Sequence, residues 1–373
     1  AQVVNVLYNV VDRMYIGHIP DIGALALTGV GVCMPIIMLI TAFAALVSMG
    51  SAPRASVLMG RGDNEEAHYT LGNSFIMLII IALILTVFFR RFAEPLLMAF
   101  GASENTIGYA MDYMRIYTLG TIFVQFALGL NAFITAQGFA KISMATVVIG
   151  AIINIVLDPI FIFGFHMGVK GAALATIISQ AVSAIWVLRF LTGKKTILKL
   201  QKKYFRLRGS VVGPCLLLGM SPFIMQATES AISVCFNSSL YRYGSDIAVG
   251  AMSILTSIMQ FSMLPLQGFT QGAQPITGYN FGAGNADRVR QTFRLLLRYC
   301  LTYSLILWAI CMAVPRLIPS MFTNNEELLS YTAWALRHYM ALSGIFGIQI
   351  ACQQTFIAIG NAKTSLFLAV YRK

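Results

Sequence analysis

The chain has 373 residues, of which 58% are hydrophobic and only 11% are charged, and its mean hydropathy is +0.75. So few charged groups cannot cover a water-soluble surface, and we therefore predict an integral membrane protein. The net charge of +12 does not indicate nucleic-acid binding. The basic residues lie mainly in short loops between apolar stretches, where membrane topology explains them.

Apolar stretches, bounded by glycine, proline and charge, predict membrane-spanning helices along the whole chain. The first six predicted spans lie near residues 1–16, 24–47, 69–89, 109–135, 143–163 and 171–191. Further spans follow near residues 211–240, 247–270, 291–313 and 332–358, and from residue 364 onward. We predict an all-α polytopic membrane protein of about twelve spans, with the last one to two spans beyond Lys373.

A long internal repeat relates the two halves. Residues 50–141 reappear as residues 272–363, always 222 positions later and without an insertion or deletion. Identities that hold this register include Gly50, Pro53, Gly60, Gly62 and Gly138, which correspond to Gly272, Pro275, Gly282, Gly284 and Gly360. Six spans per copy is an even number, so both copies enter the membrane from the same side, as in the parallel repeats of secondary transporters.

The repeat predicts two lobes joined by a basic loop. We assign residues 1–193 to an N-terminal six-helix lobe, residues 194–209 to the inter-lobe loop and residues 210–373 to a C-terminal lobe. Seven basic residues crowd the connection: Lys194, Lys195, Lys199, Lys202, Lys203, Arg206 and Arg208. The positive-inside rule makes this loop cytoplasmic, so we predict a multi-pass protein of the plasma (inner) membrane.

Acids within apolar spans are the main candidates for function, because a charged group near the bilayer centre costs roughly 2.5–3.5 kcal/mol on insertion scales. Asp12 shares a helix face with Asn9 at i, i+3, and Asp158 shares one with Asn154 at i, i+4. Glu229 lies in the middle of the seventh span, without a basic partner in its own helix. We predict that these acids take part in transport.

A polar stripe in the sixth span could face the same acids. Thr176, Ser179, Gln180 and Ser183 lie on one helix face, where hydroxyl groups serve as hydrogen-bond partners between helices. The six cysteines and four histidines show no metal-ligand spacing, and the cysteines lie singly in apolar segments. We expect no cofactor other than a coupling ion.

Three motifs resemble the multidrug and toxic compound extrusion (MATE) family. They are residues 9–17 with Asp12, residues 154–180 from the Asn-Asp pair to Ser179 and Gln180, and the run Gln274 to Ala283. The resemblance covers essentially the whole chain. It implies a twelve-helix exporter with two lobes around a central cleft, which exchanges H⁺ or Na⁺ for drug-like, often cationic, substrates by alternating access.

The resemblance also assigns residues. Asp12, Asn154, Asp158 and Thr176 occupy the positions of the family's cation site in the N-terminal lobe, where either H⁺ or Na⁺ would bind. Glu229 matches an acid of the C-terminal lobe in some members. Those members also have an acid in the tenth span, whereas residues 339–359 here contain none. For the substrate cleft we predict Asn9, Gln180, Met225, Met259 and Met263, since methionine adapts to varied apolar ligands.

Other classes of protein fit less well. A lipid-linked oligosaccharide flippase would need several basic residues in its cleft, and the predicted spans offer few. A membrane-embedded enzyme is disfavoured because HExxH, GxSxG and Walker A patterns are absent from the sequence. A receptor or scaffold would leave the paired Asn-Asp faces unexplained. We expect small organic molecules and membrane lipid as partners, no nucleic acid, and a monomer.

Overall fold

The computed structural model describes residues 2–20, 22–243, 246–321 and 326–371, and none of these residues forms a β-strand. The α-helices within these ranges are α1 (Gln2–Gly17), α2 (Gly23–Gly60), α3 (Asn64–Ala99), α4 (Ile107–Leu119), α5 (Thr121–Gly129), α6 (Asn131–Ala136), α7 (Ala140–Pro159), α8 (Val169–Leu191), α9 (Gly209–Tyr243), α10 (Asp246–Gly282), α11 (Ala286–Ala313), α12 (Glu326–Tyr339), α13 (Phe346–Ala358) and α14 (Ala362–Tyr371).

Several helices are long and apolar enough to cross a membrane, which confirms the predicted class. Five single helices meet this criterion within the described residues. Two further spans are broken into bent helix pairs, by 59° between α4 and residues 121–136 and by 49° between α12 and residues 343–358. Hydropathy predicted each broken span as one continuous segment, because a bend leaves the apolar composition unchanged.

The internal repeat is visible in the backbone. Gly62 and Gly284 correspond in the two copies, and both have a positive φ, 81° and 75°, directly after α2 and α10. Gly138 and Gly360 correspond likewise, with φ of 89° and 79° at the ends of the fourth and tenth spans. A residue with a side chain rarely adopts this conformation, so the shared glycines mark the same turns in both lobes.

With the lobe bounds predicted from the sequence, α1 to α8 fall in the N-terminal lobe and α9 to α14 in the C-terminal lobe. The N-terminal lobe contains two large clusters of buried apolar side chains, one around Phe89 and Met114 and the other around Leu78 and Phe133. Helix α2 packs against both α9 and α10, so it forms much of the contact between the lobes.

The loop between the lobes is fixed to the N-terminal lobe by two amide side chains. Gln137 Oε1 accepts hydrogen bonds from Thr196 Oγ1, Ile197 N and Leu198 N, each at 2.8 Å. Asn73 accepts from Arg208 N at 2.7 Å and donates to the carbonyl of Arg206 at 3.0 Å. We call the face of the molecule that carries this loop the linker side; α2 ends there and α3 begins there.

Candidate functional site

Two buried acids from different helices meet inside the N-terminal lobe. Helix α1 packs against α7 and brings Asp12 next to Asp158. The side chains are 7% and 0% exposed, and their carboxyl groups are close enough to influence each other electrostatically. A direct hydrogen bond between two carboxyl groups would require a proton on one of them, because two carboxylates can only accept.

Asn154 connects this pair to α8. Its Nδ2 donates to Asp158 Oδ1 at 3.1 Å and reaches Thr176 Oγ1 at 3.5 Å. The i, i+4 spacing on α7 produces the first contact, and the packing of α8 on α7 produces the second. Asn154 and Thr176 are themselves buried. The structure thus brings together all four residues that the resemblance assigned to a cation site.

Tyr113 is a fifth member that the sequence reasoning missed. It lies on α4, is 3% exposed, and lies near both Thr176 and Asp12. Its ring stacks on that of Tyr117 one turn further along α4, with 5.8 Å between the ring centroids. The i, i+4 tyrosine pair in an apolar span was the available signal.

Three buried oxygen atoms of this cluster have no hydrogen-bond partner among the residues that the structure describes: Asp12 Oδ1, Asn154 Oδ1 and Asp158 Oδ2. Leaving a buried polar atom unpaired is costly, and most such atoms in proteins find a partner. Carboxylate and amide oxygens are ligands suited to a hard cation, and a proton would equally satisfy a carboxylate. The residues present therefore fit the predicted coupling ion.

None of the hydrogen bonds described for this cluster involves the remaining predicted residues. The side chains of Asn9 and Glu229 fall outside the described part of the chain. Gln180 is half-buried on α8. In the C-terminal lobe, Gln353 Nε2 contacts Met225 Sδ at 2.7 Å, while Met259 and Met263 pack against buried apolar clusters. Contact of these methionines with substrate stays a prediction.

A cavity of about 300 Å³, lined by both polar and apolar side chains, lies between the lobes. One face of α2 from Thr41 to Ser56 lines it, together with parts of α5, α6 and α7, and α10 contributes Gln271, Gln274 and Pro275. No charged residue is among the described residues that line it.

A larger cavity of about 510 Å³ is mainly apolar and lies within the C-terminal lobe, between α10, α11 and α13. Its lining residues Phe293, Cys352 and Phe356 correspond in the repeat to Leu71, Leu130 and Ile134. In the N-terminal lobe those three residues pack with Val187 and Leu191 of α8. We therefore regard the larger cavity as a helix-packing surface and do not assign it to the transport site.

The structure contains two helical lobes that are related by the internal repeat and contact each other. One lobe contains a buried pair of carboxyl groups. These features are typical of membrane transporters built from an internal duplication. The chain matches the MatE family over residues 1–160 and 222–372, and it belongs to that family. It is therefore a multidrug efflux transporter of the MATE family and not an enzyme.

Individual relatives agree with this assignment. The multidrug export protein MepA of Staphylococcus haemolyticus is 27% identical over 377 residues, which cover 99% of this chain and 81% of MepA. The solved structure of the MATE multidrug transporter DinF-BH in complex with rhodamine 6G is 35% identical, with a TM-score of 0.90 over 99% of this chain and 82% of DinF-BH. A crystal structure of MATE in the bent conformation shares the fold at 24% identity, with a TM-score of 0.92 over 100% of this chain and 82% of the other.

Proposed function

We propose that this chain exports drug-like organic cations in exchange for H⁺ or Na⁺, and that Asp12, Asn154, Asp158 and Thr176 bind the coupling ion. The observation that carries the proposal is the meeting of two buried carboxyl groups, each with one oxygen atom that has no hydrogen-bond partner among the described residues, next to the unpaired amide oxygen of Asn154. Two neighbouring ionised carboxylates repel each other in a medium of low dielectric constant. A proton or a sodium ion offsets that repulsion, so the pair has a reason to take up a cation.

Ion binding would change how the helices pack. Asp12 is on α1, whereas Asp158 and Asn154 are at the end of α7, next to Pro159 and the π-helical turn Ile160–Gly164. A cation bound by both acids holds α1 against α7, and its release leaves two like charges facing each other. Because the ion then binds the alternating conformations with different affinity, it can drive the exchange between them.

The direction of transport follows from the proposed topology. The basic inter-lobe loop makes the linker side cytoplasmic by the positive-inside rule. Export then moves substrate from the linker side to the opposite side. The descriptions of the relatives, a multidrug export protein and a multidrug transporter in complex with rhodamine 6G, support an organic dye as a test substrate. The described residues that line the inter-lobe cavity carry no charge, which favours a drug exporter over a flippase for a pyrophosphate-linked lipid.

Transport by the purified protein in proteoliposomes tests the proposal. The vesicles would hold rhodamine 6G, and an inward H⁺ gradient and an inward Na⁺ gradient would be imposed in separate experiments. We expect one of these gradients to drive dye efflux, with protein-free vesicles as the control. Efflux that ignores both gradients would contradict cation coupling.

A further inference from the structure

Two glutamine residues of α10 offer side-chain amide groups at the wall of the inter-lobe cavity. Gln271 and Gln274 line the cavity from the C-terminal lobe, and within the described part of the protein neither amide group makes a hydrogen bond. Each amide offers two donors and an acceptor. These groups are therefore available to a ligand.

On the opposite wall of the cavity, the polar side chains make hydrogen bonds within the protein. Ser56 Oγ donates to the carbonyl of Ala136 at 3.1 Å, and Thr135 Oγ1 donates to Ser143 Oγ at 2.7 Å. Asn131 Nδ2 donates to the carbonyl of Ser143 at 3.2 Å. The N-terminal lobe thus supplies a polar but largely satisfied surface, and the two glutamines supply the free hydrogen-bonding groups.

A tight contact between the lobes closes the cavity on the linker side. A Cβ atom at Gly60 would overlap the carbonyl oxygen of Tyr279, and a Cβ atom at Gly282 would overlap that of Val57. We call this reciprocal contact the glycine clasp. Ser56, at the edge of the cavity, precedes Gly60 by one helical turn. The cavity is therefore the first polar space behind this closure.

Further glutamine residues lie along α10 away from the clasp. Gln260 and Gln267 precede Gln271 by 11 and 4 positions and lie on nearly the same helix face, and both are exposed. Four glutamines thus form a row that begins in the cavity and follows the helix toward the opposite side of the membrane. None of the four carries a charge.

We propose that Gln271 and Gln274 form a substrate subsite, separate from the Asp12 and Asp158 site, which binds the hydrogen-bonding groups of a substrate that enters from the linker side. This inference rests on the proposed function, because it concerns the substrate of the same transporter. With no carboxylate among its described lining residues, the subsite selects the amine, amide or hydroxyl groups of the substrate rather than its positive charge. A volume of about 300 Å³ is at the lower end of small-molecule sites and suits one polar edge of a drug-sized molecule.

Two cationic probes with different hydrogen-bonding ability test the subsite. Ethidium carries two amino groups, whereas tetraphenylphosphonium has no hydrogen-bonding group. In the double variant Gln271→Leu, Gln274→Leu we expect the KM for ethidium efflux to rise roughly tenfold, the usual effect of losing one or two hydrogen bonds. The KM for tetraphenylphosphonium should stay within about twofold, because that cation makes no such bonds. The control Gln291→Leu removes an exposed amide from α11 and should change neither value.

The outcomes separate the subsite from the proposed function. Equal changes for the two cations, or no change for ethidium, would overturn the subsite while the wild-type protein still transports both. A wild-type protein that transports neither cation under either gradient would overturn the proposed function and the subsite with it.

A second measurement does not depend on the double variant folding. In a cysteine-free background, Gln271→Cys would be labelled with a small methanethiosulfonate reagent. Ethidium should slow this labelling and tetraphenylphosphonium should not. Equal protection by the two cations, or protection by neither, would overturn the proposal.

Discussion

Asp12 and Asp158 lie far apart in the sequence, and each has its own amide neighbour one helical turn away. Their sequence contexts therefore suggested two separate polar faces, and the family resemblance suggested one site. The structure brings the two acids together through the packing of α1 on α7. Single substitutions and their combination can distinguish one shared site from two.

Replacing Asp158 with asparagine should reduce gradient-driven dye efflux to the background of protein-free vesicles. The asparagine cannot ionise, but its oxygen can still accept the 3.1 Å hydrogen bond from Asn154, so the protein should insert normally. Asp112→Asn is the matched control, because Asp112 pairs with Lys170 at 3.5 Å on the surface, where an ion pair contributes little. Normal efflux by a well-expressed Asp158→Asn variant would exclude this residue from coupling.

The double variant Asp12→Asn, Asp158→Asn should be little worse than either single variant. Residues that serve one site are not additive, because the first substitution already removes what the second would remove. Initial efflux rates of the four proteins, normalised to expression, give the comparison. Losses that multiply would indicate two independent sites.

Tyr113 shows why part of this site was not predictable. A tyrosine in an apolar span has an aromatic ring for packing and one hydroxyl group, so its presence alone does not distinguish packing from hydrogen bonding. Asp12 and Asp158 stood out because an ionisable group is costly to bury in a membrane span, so such a residue usually has a function there. The position of Tyr113 near Thr176 depends on how α4 packs against α8, which no local pattern specifies.

At the level of helices, the glycine clasp should control whether the linker side can close. Gly282→Ala places a methyl group against the Val57 carbonyl, so we expect the lobes to separate there at a cost of roughly 1–3 kcal/mol. A cysteine at Ser56, in a cysteine-free background, should then react faster with a water-soluble maleimide. Gly272→Ala is the control, since a Cβ atom there meets nothing within 4 Å. Equal labelling rates in the two variants would show that closure of the linker side does not depend on the glycine clasp.

The docking of the linker should depend on one side chain. Gln137→Leu removes the acceptor of three hydrogen bonds, two of them from backbone amides. Losing these bonds should cost on the order of 2–4 kcal/mol locally. Trypsin should therefore cut faster between Lys194 and Lys203. Gln201→Leu, an exposed position in the same loop, should leave the cleavage rate unchanged; identical rates for the two variants would refute this role of Gln137.

The helices extend beyond what hydropathy predicted. The second span was predicted over residues 24–47, but α2 runs from Gly23 to Gly60, about 57 Å at the usual rise per residue. A hydrocarbon core of about 30 Å needs only the apolar part of such a helix. Hydropathy therefore detects the apolar segment of the helix, while its backbone hydrogen bonds continue beyond that segment.

For the whole transporter, substrate affinity should respond to the coupling ion. If H⁺ is that ion, lowering the pH should weaken substrate binding, because the protonated acid pair and the bound substrate favour different conformations. Asp158→Asn should flatten this dependence. If Na⁺ is the ion, substrate affinity at constant pH should fall with added Na⁺ and not with K⁺. Binding titrations across pH, with and without Na⁺, distinguish the two; indifference to both would favour the flippase alternative.

The internal repeat relates the two sides of the glycine clasp to each other. Gly60 corresponds to Gly282, and Val57 corresponds to Tyr279, so each half of the chain supplies the same glycine and the same facing position. In an oligomer, a surface that pairs with its own copy in this way is an isologous interface of a twofold dimer. A gene for one half alone would therefore encode both sides of this contact. Gene fusion would preserve the contact, and each side could then change independently.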